Sequence, residues 1–267
     1  MFVPTDKRRG HAIREAVYAV MLSRPPSAGA LENFVSFGKR SLADELPSYQ
    51  PFQMAGPISL GMNEPLSLSF GAGGSFQIFR PDGSLSWRLM AVQNQIIVNC
   101  LEYDEWETVW PRAKRYISLA YEAMGEPDNL ITNGHLQYIN AFHWEGSTEP
   151  DFTALLNPES DHIPRSFWAE RSLEWHLHQG WFATDAKSKL GRRLSRQHLT
   201  SHIEEKGPTV LVDLMDRYDF NDPVSGDVFF GEICEEVFSN MRRDIRAALR
   251  NYLLVDVAKA IGAVELP

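Results

Sequence analysis

Apolar positions recur along this chain with two periods, near two and near 3.6 residues, and the switches between them predict its elements. Ile13, Val17, Val20 and Leu22 predict a first strand, with helix left open because alanine and glutamate stand among them. Pro25 and Pro26 end it. Ser27 is placed to cap a helix through Leu31, Phe34, Val35, Leu42 and Leu46, which Pro47 closes. From Pro51 to Cys100 short apolar runs are punctuated by Gly56, Gly61, Gly71, Gly73, Gly74 and Gly83, the texture of an antiparallel meander. Within it, Pro81-Asp82-Gly83 is a turn joining Phe76–Arg80 to Leu85–Met90, because proline presets φ and Asp-Gly tolerates the left-handed region. Gln95 to Cys100 is the next strand.

Asp104 opens a second helix. Trp106, Val109, Trp110, Ala113, Ile117, Ala120 and Met124 share one face, and Pro111 predicts a break or kink near Trp110. Gly125 and Pro127 end it. Leu136, Tyr138, Ala141 and Phe142 return to the sheet. Residues 145–165, rich in proline and acidic side chains, read as a linker with one helical turn at Phe152 to Leu156. Phe167–Phe182, Leu190–Ile203 and Thr209–Tyr218 then read as three strands, joined at Thr184-Asp185 and Lys206-Gly207-Pro208. A long helix follows from Phe230 to Val257, capped by Ser225 or Asp227. Strand runs broken by single helices, without βαβ alternation, predict an α+β fold of antiparallel sheets packed with a few helices. Strands followed by a helix occur once in each half, which leaves two related lobes open. The corresponding division is an N-terminal α+β lobe (1–145), a linker (146–166) and a C-terminal lobe of three strands and a long helix (167–267).

Composition narrows the setting. The chain has 267 residues, 43% apolar and 23% charged, so it is long enough to bury a core without staples. Two cysteines, Cys100 and Cys234, stand far apart among apolar neighbours, the pattern of buried thiols in a reducing cytoplasm. A net charge of -9 opposes phosphate backbones and argues against duplex nucleic acid as partner. No run is apolar and long enough to span a bilayer.

Candidate chemistry is sparse. Gly71-Ala72-Gly73-Gly74 lacks the Gly-Lys-Ser/Thr ending of a phosphate loop and reads as a hairpin connection. His176 and His178, two apart on a strand, point to one face, and His198 and His202 do the same on the next strand. If the strands pair, the four histidines are candidate metal ligands, set against surface or core histidines. The segment from His198 to His202 lacks the glutamate of a zincin. No Gly-x-Ser-x-Gly elbow is present. Glu235 and Glu236 are adjacent on a helix and do not face each other. Aromatic residues are abundant, and Phe142, Trp144, Phe167 and Trp168, flanking the linker, are the candidate interaction residues. No cofactor is expected.

Three segments carry a family resemblance. His11 to Val20 (HAIREAVYAV), Tyr103 to Glu107 (YDEWE) and His135 to Asn140 (HLQYIN) resemble, in order, spacing and total length, a sporadically distributed, uncharacterised prokaryotic family with an EAV…YIN pattern. His11 stands where that pattern has proline, and Gln137 where it has a basic residue. The family brings no agreed catalytic residues. The resemblance implies a genetic setting beside Panacea-type antitoxins, and with it a toxin-like role exerted by binding a host protein.

The expectation is therefore a cytoplasmic protein-binding effector of a prokaryotic toxin–antitoxin or defence module, whose partner is a protein, antitoxin or host target. The alternative is a metal-dependent enzyme or small-molecule-binding protein using the C-terminal lobe. A third reading, a structural subunit, would require a large self-complementary apolar surface.

Overall fold

The computed structural model describes residues 1–5, 10–52, 73–146, 149–169, 172–183, 190–205 and 207–263. These residues form two units interleaved along the chain: 1–16, 135–219 and 236–267 make the first, and 17–134 with 220–235 the second. The strands are β1 (Phe2–Pro4), β2 (Ile13–Leu22), β3 (Ser48–Pro51), β4 (Gly74–Phe79), β5 (Leu85–Val92), β6 (Gln95–Cys100), β7 (Ile131–Trp144), β8 (Trp175–Ala183), β9 (Gly191–Glu204) and β10 (Gly207–Val224). The helices are α1 (Ala28–Ser41), α2 (Trp106–Met124), α3 (Gly226–Val228), α4 (Cys234–Tyr252) and α5 (Val255–Ala260), with a π-helical turn at Phe229–Ile233 between α3 and α4. Large antiparallel sheet and helices together make an α+β fold, as the sequence predicts. The turn at Thr184-Asp185, Lys206 and the whole stretch from Gly56 to Ala72, with the first half of the Gly71–Gly74 loop, lie outside the described residues.

In the second unit the strands run in the order β3-β4-β5-β6-β2. The β4–β5 hairpin pairs Ser75 with Met90 and Ile78 with Trp87, and a bulge follows between Ile78 and Phe79. Its turn is the one read from Pro81-Asp82-Gly83: Gly83 has φ 81°, and Asp82 Oδ1 accepts the Ser84 amide at 2.9 Å. Alternation then does what it should, burying Trp87, Leu89 and Ala91 on β5 and Ile96, Val98 and Cys100 on β6. The predicted face of α2 is buried with Tyr116 added to it, and Tyr116 meets Trp87 edge-on at 6.0 Å.

Two helix details differ from the sequence reading. Of the break or kink expected near Trp110, the break does not occur: α2 runs on through Pro111. Proline there forfeits a single backbone bond, while Trp106 and Trp110 stack at 5.3 Å on either side of the first turn. The first helix stops at Ser41, not Leu46. Ser27 Oγ caps its start by accepting the Ala30 amide, but beyond Leu42 the buried spacing is kept by turn bonds such as Leu46 N to Leu42 O, 2.7 Å. The apolar period there outruns the helix.

In the first unit the order is β7-β10-β9-β8, with β1 pairing β7. One face of β9 buries Ser195, Gln197, Leu199 and Ser201. Against that face lies α4, whose Val237, Phe238, Met241, Ile245, Leu249 and Tyr252 are buried at helical spacing. The predicted strand Phe167–Phe182 is corrected: Arg165–Trp168 is a 3-10 turn, and the strand begins at Trp175. Pro164, with φ -58°, sets that turn, and Phe167 and Trp168 pack as a corner, not a pleat. The long C-terminal helix is also interrupted. Leu253 leaves the helix to bridge Leu156, and the Leu254 amide bonds Leu155 O at 2.9 Å. Ser225, one of the two predicted caps, accepts the Val228 amide.

Candidate functional site

A cavity walled by aromatic side chains lies within the first unit. It is a cleft of about 330 Å³ lined by Glu149, Pro150, Asp151, Phe152, Thr153, Phe167, Trp168, Ser172, Leu173 and Trp175. The loop that builds it is held by side chains the sequence names. Asp151 Oδ1 accepts from the Thr153 amide at 3.0 Å and from its hydroxyl at 2.6 Å, closing the 3-10 turn Phe152–Ala154. Leu155 and Leu156, fully buried, then anchor the loop to the α4–α5 junction. On the other wall, Ser201 Oγ donates to Leu173 O at 2.8 Å and Thr200 Oγ1 to Trp175 O at 3.1 Å, tying the start of β8 to β9.

The rings form a chain of perpendicular contacts. Trp168 meets Phe167 at 4.9 Å and 86°, Phe167 meets Trp175 at 4.7 Å and 85°, and Trp175 meets Phe152 at 5.5 Å and 85°. Phe2 continues it from Phe152 to Trp144. Edge-to-face pairs of this kind add about 0.5–1.5 kcal/mol each beyond the area they bury, so the corner is stiff. The indole Nε1 atoms of Trp168 and Trp175 are buried with no hydrogen-bond partner among the described residues.

Of the four candidate interaction residues, then, Phe167 and Trp168 line the cleft. Trp144 meets Phe2, and Phe142 is fully buried on β7 opposite Pro4. Phe152, Trp175 and the acidic pair Glu149 and Asp151 were not singled out by sequence. The helical turn read at Phe152 to Leu156 in the 145–165 stretch is the 3-10 turn Phe152–Ala154. Nothing in that stretch announced that it folds back beside the start of β8.

The histidines lie on the opposite face of β8 and β9 from α4. His178 is directly across from His198, their ring centroids 5.5 Å apart. His176 is across from Thr200 on the same face. His202, further along β9, bonds Glu204 at 3.0 Å, and Glu204 forms a two-pronged pair with Arg14 at 2.7 and 2.8 Å. That guanidinium holds the Glu204 carboxyl down at about 2. Burial lowers the pKa of His198, with Asp213 opposing and the neighbouring histidines assisting. Gln137 Nε2 donates to Asp213 at 2.6 Å, and burial followed by Arg196 and Arg217 lowers His135 to about 4. The sheet face thus brings His178 and His198 together and leaves His202 engaged elsewhere. Among the described residues no group of three or more His, Cys, Asp or Glu is arranged to hold a metal ion.

Under the α4 face, Tyr252 donates its hydroxyl hydrogen to Gln197 and accepts from Gln179, and burial pushes its phenol up to about 12. Asp216 is buried there too, 3.6 Å from Arg193, which also pairs with Asp244. Burial pushes the Asp216 carboxyl up to about 6, against the pull of Arg193 and Ser195. These groups are enclosed by the packing of α4 on the sheet.

The fold is α+β, and its first unit carries a cleft walled by aromatic side chains. No protein-family model matches the chain, and no curated protein does. Among solved structures, the crystal structure of the di-domain ARO/CYC StfQ from the steffimycin biosynthetic pathway is similar at 9% identity and a TM-score of 0.19, covering 92% of this chain and 97% of that one. A similarity of that size defines no shared fold. No helix among the described residues is long and apolar enough to cross a membrane.

Proposed function

We propose that this chain acts by binding a protein partner, as an effector and not as a catalyst, and that the cleft of Phe152, Phe167, Trp168 and Trp175 is where the partner is held. The observation that carries the proposal is this pre-formed aromatic corner, since rigid aromatic side chains dominate the energetics of protein recognition. The resemblance to the EAV…YIN family extends the proposal to the toxin-like component of a prokaryotic toxin–antitoxin or defence module in the cytoplasm. The test is expression of the full chain in a bacterial host, with growth as the readout, beside a Phe167→Ala/Trp168→Ala double variant whose thermal melting confirms folding. Growth inhibition by the wild type, relieved by the double variant, supports the proposal. Absence of inhibition refutes the toxin-like role. Inhibition that persists in the folded variant removes the cleft from it.

A second reading is favoured by the His178–His198 pair, which two neighbouring imidazoles could offer to a divalent transition metal. Stoichiometric zinc on the purified chain, lost in His178→Ala, would favour this metal-dependent alternative over the binding reading.

A further inference from the structure

The sheet of the first unit ends on β8, and β8 carries none of the residues that blunt a sheet edge. It runs nine residues, Trp175–Ala183, in unbroken antiparallel register with β9. Its sequence, WHLHQGWFA, holds no proline, lysine, arginine, aspartate or glutamate. Proline and charge are what keep edge strands from pairing with other chains. The terminal strand of the second unit differs: β3 is four residues long and closes on Pro51. Among the described residues no strand lies on the outer side of β8. His176, His178, Gly180, Trp181 and Phe182 are all exposed, and at Gly180, which has no side chain, it is main chain that meets solvent. A row of amide and carbonyl groups is thus open to a further strand.

The order of side chains along β8 selects the occupant. When two copies of β8 pair antiparallel about a two-fold axis through Gln179, all nine residues overlap. Each residue then meets one of its own face, so the α4 side continues into the α4 side and the histidine side into the histidine side. On the histidine side, His176 meets Phe182 and His178 meets Gly180. On the α4 side, Trp175 meets Ala183, Leu177 meets Trp181, and Gln179 meets its own copy. Large side chains face small ones at Trp175–Ala183 and His178–Gly180, and aromatic or apolar ones meet at the next rungs. Such cross-strand pairs stabilise a sheet, whereas like charges directly opposite destabilise it, and here no rung brings charges together. The chain carries a net charge of -9, so two copies repel each other in general, and β8 is a charge-free place for them to approach.

We infer that β8 is a self-association edge, along which two copies of this chain join in antiparallel register about Gln179 to make one continuous sheet. The inference stands apart from the partner-binding role proposed above. A strand of a different protein shares the main-chain chemistry, but the alternation of large and small side chains about Gln179 matches β8 itself.

The test is the solution mass of the full chain by sedimentation velocity, at loading concentrations from about 1 to about 100 μM, which bracket micromolar dissociation constants. The expected species has twice the 30.3 kDa of the chain. Two double variants at exposed positions read the register. His176→Glu/Phe182→Glu sets carboxylates opposite one another and should weaken self-association at least about tenfold. His176→Lys/Phe182→Glu sets a lysine opposite a glutamate at the same rungs and should restore the dimer. Arg192, which lies over the Phe182 ring at 4.3 Å, acts equally in both, since both carry Phe182→Glu. Thermal melting confirms that each variant is folded. A wild type that stays monomeric throughout the range would overturn the inference and leave the edge to a strand of another protein. A dimer that survives in the folded His176→Glu/Phe182→Glu variant, or one lost equally in both variants, would overturn it as well.

Discussion

Asp216 offers the sharpest measurement on the packing of the first unit. Its side chain is almost wholly enclosed beneath α4, and burial raises its pKa from 3.8 to about 6. An acid whose folded pKa exceeds its unfolded one binds its proton more tightly in the folded state. Between about pH 4 and pH 6 the folded chain therefore carries more protons at this site than the unfolded chain, and stability falls as pH rises. A shift of roughly two pH units at 1.36 kcal/mol per unit corresponds to about 3 kcal/mol, fully lost above pH 6 and restored below pH 4. Asp216→Asn removes the titration. Arg193 keeps Asp244 as partner in the variant, so its guanidinium is not stranded. Urea unfolding of both proteins at half-unit steps from pH 4 to pH 7.5 gives the difference in stability at each pH. That difference should move in favour of the variant by about 3 kcal/mol across the window, whatever its value at either end. A difference that stays constant with pH, or moves in the wild type's favour as pH rises, would refute the reasoning.

Three further outcomes are expected. Gly38→Ala places a Cβ 2.2 Å from the Phe76 ring, an overpacking that should cost about 1–3 kcal/mol in denaturant unfolding despite alanine's better helix propensity. Phe142→Ala empties a fully buried position on β7 and should cost about 3–5 kcal/mol by the same assay. Glu204→Gln removes a carboxyl held at about 2 by Arg14. Its loss should be under about 1 kcal/mol at pH 7, because both partners are a third exposed. The depressed pKa stabilises the fold above the unfolded value of 4.5, so the difference from wild type should shrink as pH falls from 4.5 towards 2.

Local patterns were legible where local forces decide. Ser27, Gly83 and Gly125 act on their own neighbours, and each does in the structure what its residue type requires. The buried face of α2 was readable because its period is unbroken over five turns. Partnering across long separations was not legible. Leu253 and Leu254 continue a helical apolar pattern, yet they leave the helix because Leu155 and Leu156, about a hundred residues earlier, present backbone to them. Phe167 and Trp168 have strong strand propensity, but Pro164 and the ring of Trp175 set them into a corner instead. The cleft was half visible for the same reason: its aromatic composition stood in the sequence, whereas the fold-back that adds Glu149, Asp151 and Trp175 did not.

The first unit is assembled from both ends of the chain: Phe2 is in register with Trp144, and the Arg246 guanidinium holds Gly262 O. On the ribosome, Phe2, β7 and the cleft loop are all made well before α4, the helix that encloses their neighbours. A nascent chain must therefore carry an unfinished sheet with exposed apolar positions until α4 has been made. A chain cut before α4 should therefore stay dependent on chaperones, because the helix that covers this sheet and anchors the cleft loop is missing.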